Sequence, residues 1–187
     1  MPKILEQPRE KILDAARKRL LGSGSYATLT IRSIAKECGF SVGTVYNYFP
    51  SKDHLAASVM MEDWRSLYAQ VQERYYEMPK QEQPTVDDAI AGMRLLFEMF
   101  RIFSIRYSNV FAEYKGKGIA GLRPYHLRLI GRIEMSVRRL LTEEQIAKEP
   151  FLPTFLAETL LHFGADEHTQ YDQIQGILRR TLEGVRE

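Results

Sequence analysis

Thr30, Arg32, Ser41, Val42, Gly43, Thr44, Tyr46, Asn47, Tyr48 and Lys52 crowd into one short stretch of this 187-residue chain. Hydroxyls, an amide, a guanidinium and an ammonium break few bonds unless a general base stands beside them. They are well suited to holding phosphates and reading base edges. Between them lie Ala35, Gly39 and Val45, at spacings of four and six. A small residue is needed where two helices cross, a glycine where the turn takes positive φ, and an apolar residue to lock the second helix. These are the requirements of a helix-turn-helix.

Within that frame, Val42, Gly43, Thr44 and Asn47 fall at or near the start of the second helix, the end that groove-bound helices present to bases. Asn47 is expected to pair with adenine through its amide, and Gly43 to let backbone approach closely. Arg32, early in the preceding helix, can reach a guanine or a phosphate. Thr30, Thr44, Tyr46, Tyr48 and Lys52 are expected on phosphates, which orient a protein without reading sequence. Tyr46 and Tyr48 have a plainer alternative as core aromatics, and Phe49 is expected in the core.

The elements that must position these groups read as helices throughout; convincing strand alternation is absent. Ile12, Ala16 and Leu20 give a first helix from about Arg9 to Leu21, ended by Gly22 and Gly24. Thr30 caps a second, with Ile31, Ile34, Ala35 and Cys38 on its apolar side, and Gly39 breaks it. Ser41 caps a third, Val42 to Tyr48. A fourth opens at Pro50-Ser51 and runs to about Tyr76; Met78 to Pro84 reads as a linker. Thr85 and Asp88 resemble a capping box ahead of a long helix to about Ser104 and a shorter one to about Tyr114. Lys115 to Gly121 is expected as a loop, Leu122 to Leu141 as helix, and Thr142 with Gln145 as the cap of a short turn. Helices at about Thr154 to Ala165 and His168 to Val185 follow Pro150 and Pro153. The fold class is all-α, with about nine helices. A DNA-binding domain is expected over 1–52 and a ligand-binding and dimerisation domain over 53–187.

Charge agrees with that division. Residues 1–52 hold nine Lys and Arg against four Asp and Glu, net +5; residues 53–187 hold seventeen against twenty, net −3. A basic head on an acidic body suits a polyanion-binding head, though a solvated basic face is the plainer alternative. Hydrophobic residues at 44% and charged residues at 27% suit a packed globular chain. No window reaches the length of a membrane span, no signal peptide is evident, and one cysteine forms no intrachain disulfide. A cytoplasmic protein without membrane partners is expected.

Taken together, Ile12-Leu13-Asp14-Ala15-Ala16, Leu29-Thr30-Ile31-Arg32-Ser33-Ile34-Ala35 and Gly39-Phe40-Ser41-Val42-Gly43-Thr44-Val45-Tyr46-Asn47-Tyr48-Phe49-Pro50-Ser51-Lys52 resemble the TetR/AcrR family of transcriptional regulators. The resemblance implies a double-stranded DNA operator, with Tyr46 and Lys52 at positions that typically meet phosphates. Val42 departs from the family, which often has a polar or basic residue there; a valine touches a thymine methyl or nothing. The rest of the chain resembles the family only in helix number and length.

Beyond the motif, Trp64, Tyr68, Met93, Phe97, Phe100, Phe103 and Tyr107 are candidate walls of a ligand pocket, since such pockets are apolar with few polar groups. An ordinary helical core explains each of them individually. Arg94, Arg101 and Arg106 are candidate polar anchors. Phe155, Thr159 and Phe163 form one helical row and Ile174, Leu178, Leu182 and Val185 another. Both are expected to meet a second copy in a four-helix homodimer interface, as the family usually dimerises; packing inside the monomer is the alternative. Cys38 shares the buried face of Ile34 and is expected to be a small hydrophobe rather than a sensor. His162 and His168 flank Asp166 across a helix break, so no metal and no cofactor is expected. No nucleophile–base constellation points to an enzyme. The expectation is a homodimeric repressor released from a palindromic operator by a small apolar or aromatic inducer. An activator or architectural DNA-binding protein without inducer is one alternative. An all-α binding module or enzyme that has lost DNA binding is another.

Overall fold

In the computed structural model, residues 7–22, 25–76, 84–117 and 123–185 are described, without the side chains of 71–76, 114–117 and 123–125. They form ten α-helices and one 3-10 turn, with no strand among the described residues. α1 (Pro8–Leu21) starts on a proline, whose missing N–H costs nothing in a first turn, and buries Ile12, Leu13, Ala15, Ala16 and Leu20. A 3-10 turn (Tyr26–Thr28) leads to α2 (Ile31–Cys38), where the Thr30 hydroxyl accepts the Ser33 amide at 3.1 Å. Gly39 sits at φ 70°. With that left-handed step, the Gly39 and Phe40 amides reach back to the carbonyls of Lys36 and Ala35 and close the helix. α3 (Val42–Tyr48) is capped by Ser41, whose hydroxyl accepts from the Thr44 amide at 3.0 Å.

α4 (Lys52–Tyr76) and α5 (Val86–Arg106) are the long helices, and Thr85 and Asp88 form the expected reciprocal cap on α5. α6 (Ser108–Lys117) carries helix into the stretch expected to loop from Lys115; residues 118–121 and Leu122 lie outside the described residues, as do residues 78–83 of the expected linker. α7 (Arg123–Arg138), α8 (Glu143–Lys148), α9 (Leu152–Gly164) and α10 (Tyr171–Gly184) complete the chain. Pro153 was expected to punctuate before α9 but lies in its first turn, where the helix makes no use of its missing N–H. α8, capped by Thr142 and Gln145, raises the expected count from about nine to ten.

The chain divides into two compact units: Met1–Ser66 with Arg106–Tyr125, and Leu67–Ile105 with His126–Glu187, taken over their described residues. The helix-turn-helix stretch expected over 1–52 lies inside the first. Its core is built from Ile12, Ala16, Leu20, Leu29, Ile34, Val45, Phe49, Leu55, Val59 and Trp64, all under 2% exposed. Tyr107 and α6 close it: the Asn109 amide donates to the Leu20 carbonyl at 3.0 Å, and Tyr107 donates to Asp63 at 2.6 Å. Asp63 also accepts from the Arg17 guanidinium at 2.8 Å, tying α1 to α4. Cys38 is half-buried rather than buried. It ends α2 with its thiol 3.5 Å from the Lys11 carbonyl, and partial burial followed by the Glu37 charge pushes its pKa up, away from the reactive thiolate.

In the second unit Met93, Phe97, Phe100, Leu156, Leu160, Leu178 and Leu182 are buried, and Phe97 and Phe100 of α5 lie beside Gly164 of α9. Gly92 permits the approach of Leu140, whose methyl carbon lies 2.5 Å from where a Cβ would stand. Tyr171 sits edge-on to Phe97 at 5.5 Å and donates to the Ile90 carbonyl at 2.7 Å. Among the described residues no helix is long and apolar enough to cross a membrane.

Burial pushes the hydroxyl pKa of both Tyr107 and Tyr171 well above the ordinary tyrosine value, and at Tyr107 the bond to Asp63 adds to it. The folded state therefore holds these protons more tightly than the unfolded chain. Their contribution is complete below about pH 10 and is lost as pH rises past it, at up to ~1.4 kcal/mol per pH unit per tyrosine. Urea titrations between pH ~9 and ~11 are expected to show falling stability, with a shallower fall in Tyr107→Phe and in Tyr171→Phe.

Candidate nucleic-acid interface

α3 turns two different faces to its surroundings. Val45 is fully buried, and Phe49, just past its end, is 1% exposed. On the other side Tyr46 is 50% exposed, Tyr48 41% and Val42 37%, and Ser41, Gly43 and Asn47 are exposed with them. From α2, Thr30 and Arg32 are exposed as well. Thr44 and Lys52 are half-buried. Thus all ten residues expected at DNA belong to the first unit, and eight of them are exposed.

Their hydrogen bonds decide what each has left to offer. The Thr30 and Ser41 oxygens accept the capping amides. Ser41 and Thr44 hydroxyls lie 2.8 Å apart and one donates to the other, so of their two protons one is taken and one is left to offer. The Tyr46 and Tyr48 rings and the Asn47 amide project from a rigid turn of helix and present both donors and acceptors. Core placement, the alternative for the tyrosines, holds only for Phe49. Lys52 is more constrained than its sequence position implies. Its ammonium lies 4.3 Å above the Tyr26 ring and 3.4 Å from the Tyr26 carbonyl oxygen. Tyr26 in turn donates its hydroxyl to Asp53. Nothing in the local sequence marks Tyr26, because α1 to α3 must fold before residues 26 and 52 meet.

The expected ligand wall falls in both units. Trp64 and Tyr107 are buried in the first; Tyr68, Met93, Phe97, Phe100 and Phe103 belong to the second. There Phe100 and Phe103 stand 6.2 Å apart, and the Tyr68 and Ser136 hydroxyls pair at 2.5 Å. The candidate anchors have structural partners instead. Arg94 binds Asp172 and Gln175, Arg101 the Glu167 and Thr169 carbonyls, and Arg106 lies 3.8 Å from Asp63.

The expected dimer rows need one correction. Ile174, Leu178 and Leu182 are 6%, 1% and 0% exposed in the single chain, so they pack inside it and offer no area to a partner. Their i, i+4 row is the buried side of α10, the helix whose Tyr171 meets Ile90 and Phe97 of α5 and whose Leu182 carbonyl accepts from Gln145 of α8. Val185 is half-buried just beyond α10. On α10 the exposed apolar residue is Ile177, at 57%. On α9, Phe155 is 47% exposed and Thr159 and Phe163 are half-buried. Among the described residues, no group of three His, Cys, Asp or Glu gathers as metal ligands would.

Residues 12–59 match the family model for bacterial regulatory proteins of the tetR family. The chain is similar to the HTH-type transcriptional repressor KstR of Rhodococcus jostii, 36% identical over 62 residues, which are 33% of this chain and 29% of that protein. The match thus spans under a third of KstR's own length. Over 179 residues, 92% of this chain and 82% of the relative, it is 25% identical to the nucleoid occlusion factor SlmA of Vibrio cholerae. In fold it is similar to GusR of Salmonella enterica, with a TM-score of 0.55, 18% identity, and coverage of 99% of this chain and 97% of that one.

Proposed function

We propose that this chain, whose residues 12–59 match the tetR family model, is a transcriptional regulator of that family that binds double-stranded DNA through α3. In this reading it is a homodimeric repressor, released from a palindromic operator by a small apolar or aromatic ligand. The observation that carries it is the two-faced α3: Val45 locked inside, and Tyr46, Asn47 and Tyr48 displayed outside. A short, rigid helix with exposed polar groups fits the major groove. Asn47 and Arg32 read bases, while Tyr46 and Lys52 hold phosphates.

Selection from a pool of random duplexes tests the assignment. Asn47→Ala is expected to relax preference at one operator position and to cost about 1–3 kcal/mol on the preferred site. Lys52→Ala is expected to weaken all sequences alike. An Asn47→Ala protein that selects the same sequence with the same affinity contradicts the base-reading role.

Dimerisation follows from the match between a two-fold protein and a palindromic site. Its proposed surface is the exposed part of α9 and α10: Phe155 with Thr159 and Phe163, and Ile177. Phe155→Asp should then sediment as a monomer at micromolar concentration where the parent chain sediments as a dimer. A monomeric parent excludes this surface.

For the response, the proposed ligand wall is Tyr68, Met93, Phe97, Phe100 and Phe103, with the Tyr68–Ser136 hydroxyl pair as its polar group. α4 is one continuous helix from Lys52, directly after α3, to Tyr76. A ligand that shifts its far part changes the separation of the two recognition helices in a dimer. Ligand and operator then oppose each other reciprocally, and a coupling of ~1–3 kcal/mol lowers operator affinity about 5- to 150-fold. The similarity to a nucleoid occlusion factor over most of the chain favours a second reading, an architectural DNA-binding protein without inducer. The two part on whether any apolar or aromatic compound lowers operator affinity.

A further inference from the structure

We infer that Tyr26 is a positioning residue for DNA binding, holding the Lys52 ammonium ready for a phosphate. This rests on the reading of Lys52 as a phosphate contact. A lysine is a compact charge on a flexible four-carbon stem, and an unrestrained one must be ordered when it docks. Lys52 is ordered beforehand. Its ammonium stands 4.3 Å over the Tyr26 ring, within range of a cation–π attraction, and 3.4 Å from the Tyr26 carbonyl oxygen. An ammonium has three N–H donors. The carbonyl takes one and the ring face attracts the charge, which leaves donor capacity for an anion at a half-buried position beside α3.

Tyr26 is itself fixed. It is 4% exposed, in a 3-10 turn where Ser25 and Thr28 bond reciprocally. Its hydroxyl donates to Asp53, the residue after Lys52, so one ring grips both residues at the start of α4. That bond also engages the carboxylate nearest in sequence to Lys52, a competitor with phosphate for the ammonium. The same turn leads within two residues to Thr30, the cap of α2. Tyr26 thereby sets the cationic end of the surface against its hydroxyl end.

The test measures affinity of the full chain for a random-sequence duplex in Tyr26→Leu, Lys52→Ala and the double variant. Tyr26→Leu is expected to weaken binding ~3- to 10-fold in the parent and to have no further effect once Lys52 is alanine. Equal loss in both backgrounds, or no loss in the parent, overturns the inference while Lys52→Ala still weakens binding. Unchanged affinity in Lys52→Ala instead removes the phosphate contact itself, and the inference with it. The parent chain supplies a readout that needs no variant to fold. The Lys52 ε-methylene protons are expected to be shifted upfield by the Tyr26 ring in NMR spectra. Ordinary lysine shifts there also overturn the inference.

Discussion

Val45→Asp is expected to abolish duplex binding, lowering affinity by more than ~100-fold, although Val45 lies on the buried side of α3, opposite the exposed residues. The side chain is completely buried in the core that α1, α2 and α3 share. A carboxylate there loses its hydration, and the effective penalty for a buried, unpaired ion is several kcal/mol. Whole domains are stable by only about 5–15 kcal/mol, so a small head has little reserve. Once α3 separates from α2, the exposed groups no longer share one rigid frame, and the preorganisation that makes them a surface is gone. Val45→Leu is the control, since one extra methylene in a packed core costs ~1–3 kcal/mol but buries no charge, and binding should fall far less than in Val45→Asp. Parent-like binding by Val45→Asp would mean that α3 does not hold the DNA-facing groups.

Phe97→Ala is expected to lower stability by ~3–5 kcal/mol, which for a chain of this size is a fall in melting temperature of about 6–20 °C. Phe97 is fully buried on α5, edge-on to Tyr171 and close beside Gly164 of α9, so one ring joins three helices of the second unit. Truncation removes those contacts, and rigid helices collapse only partly into the gap. A thermal scan measures the result. A fall under ~1 kcal/mol would show that the ring lines space rather than packing against atoms. That outcome would strengthen the ligand wall at the expense of the structural role.

What the sequence made legible is largely what local chemistry decides. Thr30, Ser41, Thr85 with Asp88 and Thr142 with Gln145 cap helices where their types and spacing require, because a capping bond closes within three residues. Gly39 takes the left-handed turn for the same reason. The exposed face of α3 follows from Val45 and Phe49, which fix the opposite face. What stayed hidden depends on contacts between distant residues. The row Ile174, Leu178, Leu182 shows in sequence that one side of α10 is covered, but not by what; the covering elements belong to the same chain. Arg94, Arg101 and Arg106 looked available to a ligand because Asp172, the Thr169 carbonyl and Asp63 are tens of residues away. Trp64 and Tyr107 share apolar character with Phe97 and Phe100, yet composition says nothing of which unit buries each. Lys52 was visible as a charge, and Tyr26 beneath it was not.

These differences leave the first unit's outward face as the centre of the account, and its chemistry has a direct thermodynamic signature. A protein that replaces counterions along a duplex binds more weakly as salt rises, with a linear fall of log affinity against log salt concentration. Titrating the full chain with a duplex at ionic strengths from ~50 to ~200 mM is expected to show affinity dropping by about a thousandfold or more, if a dimer engages six or more phosphates. Affinity that does not change across this range, or no duplex binding at the low-salt end, would contradict the assignment of α3 and its neighbours to DNA.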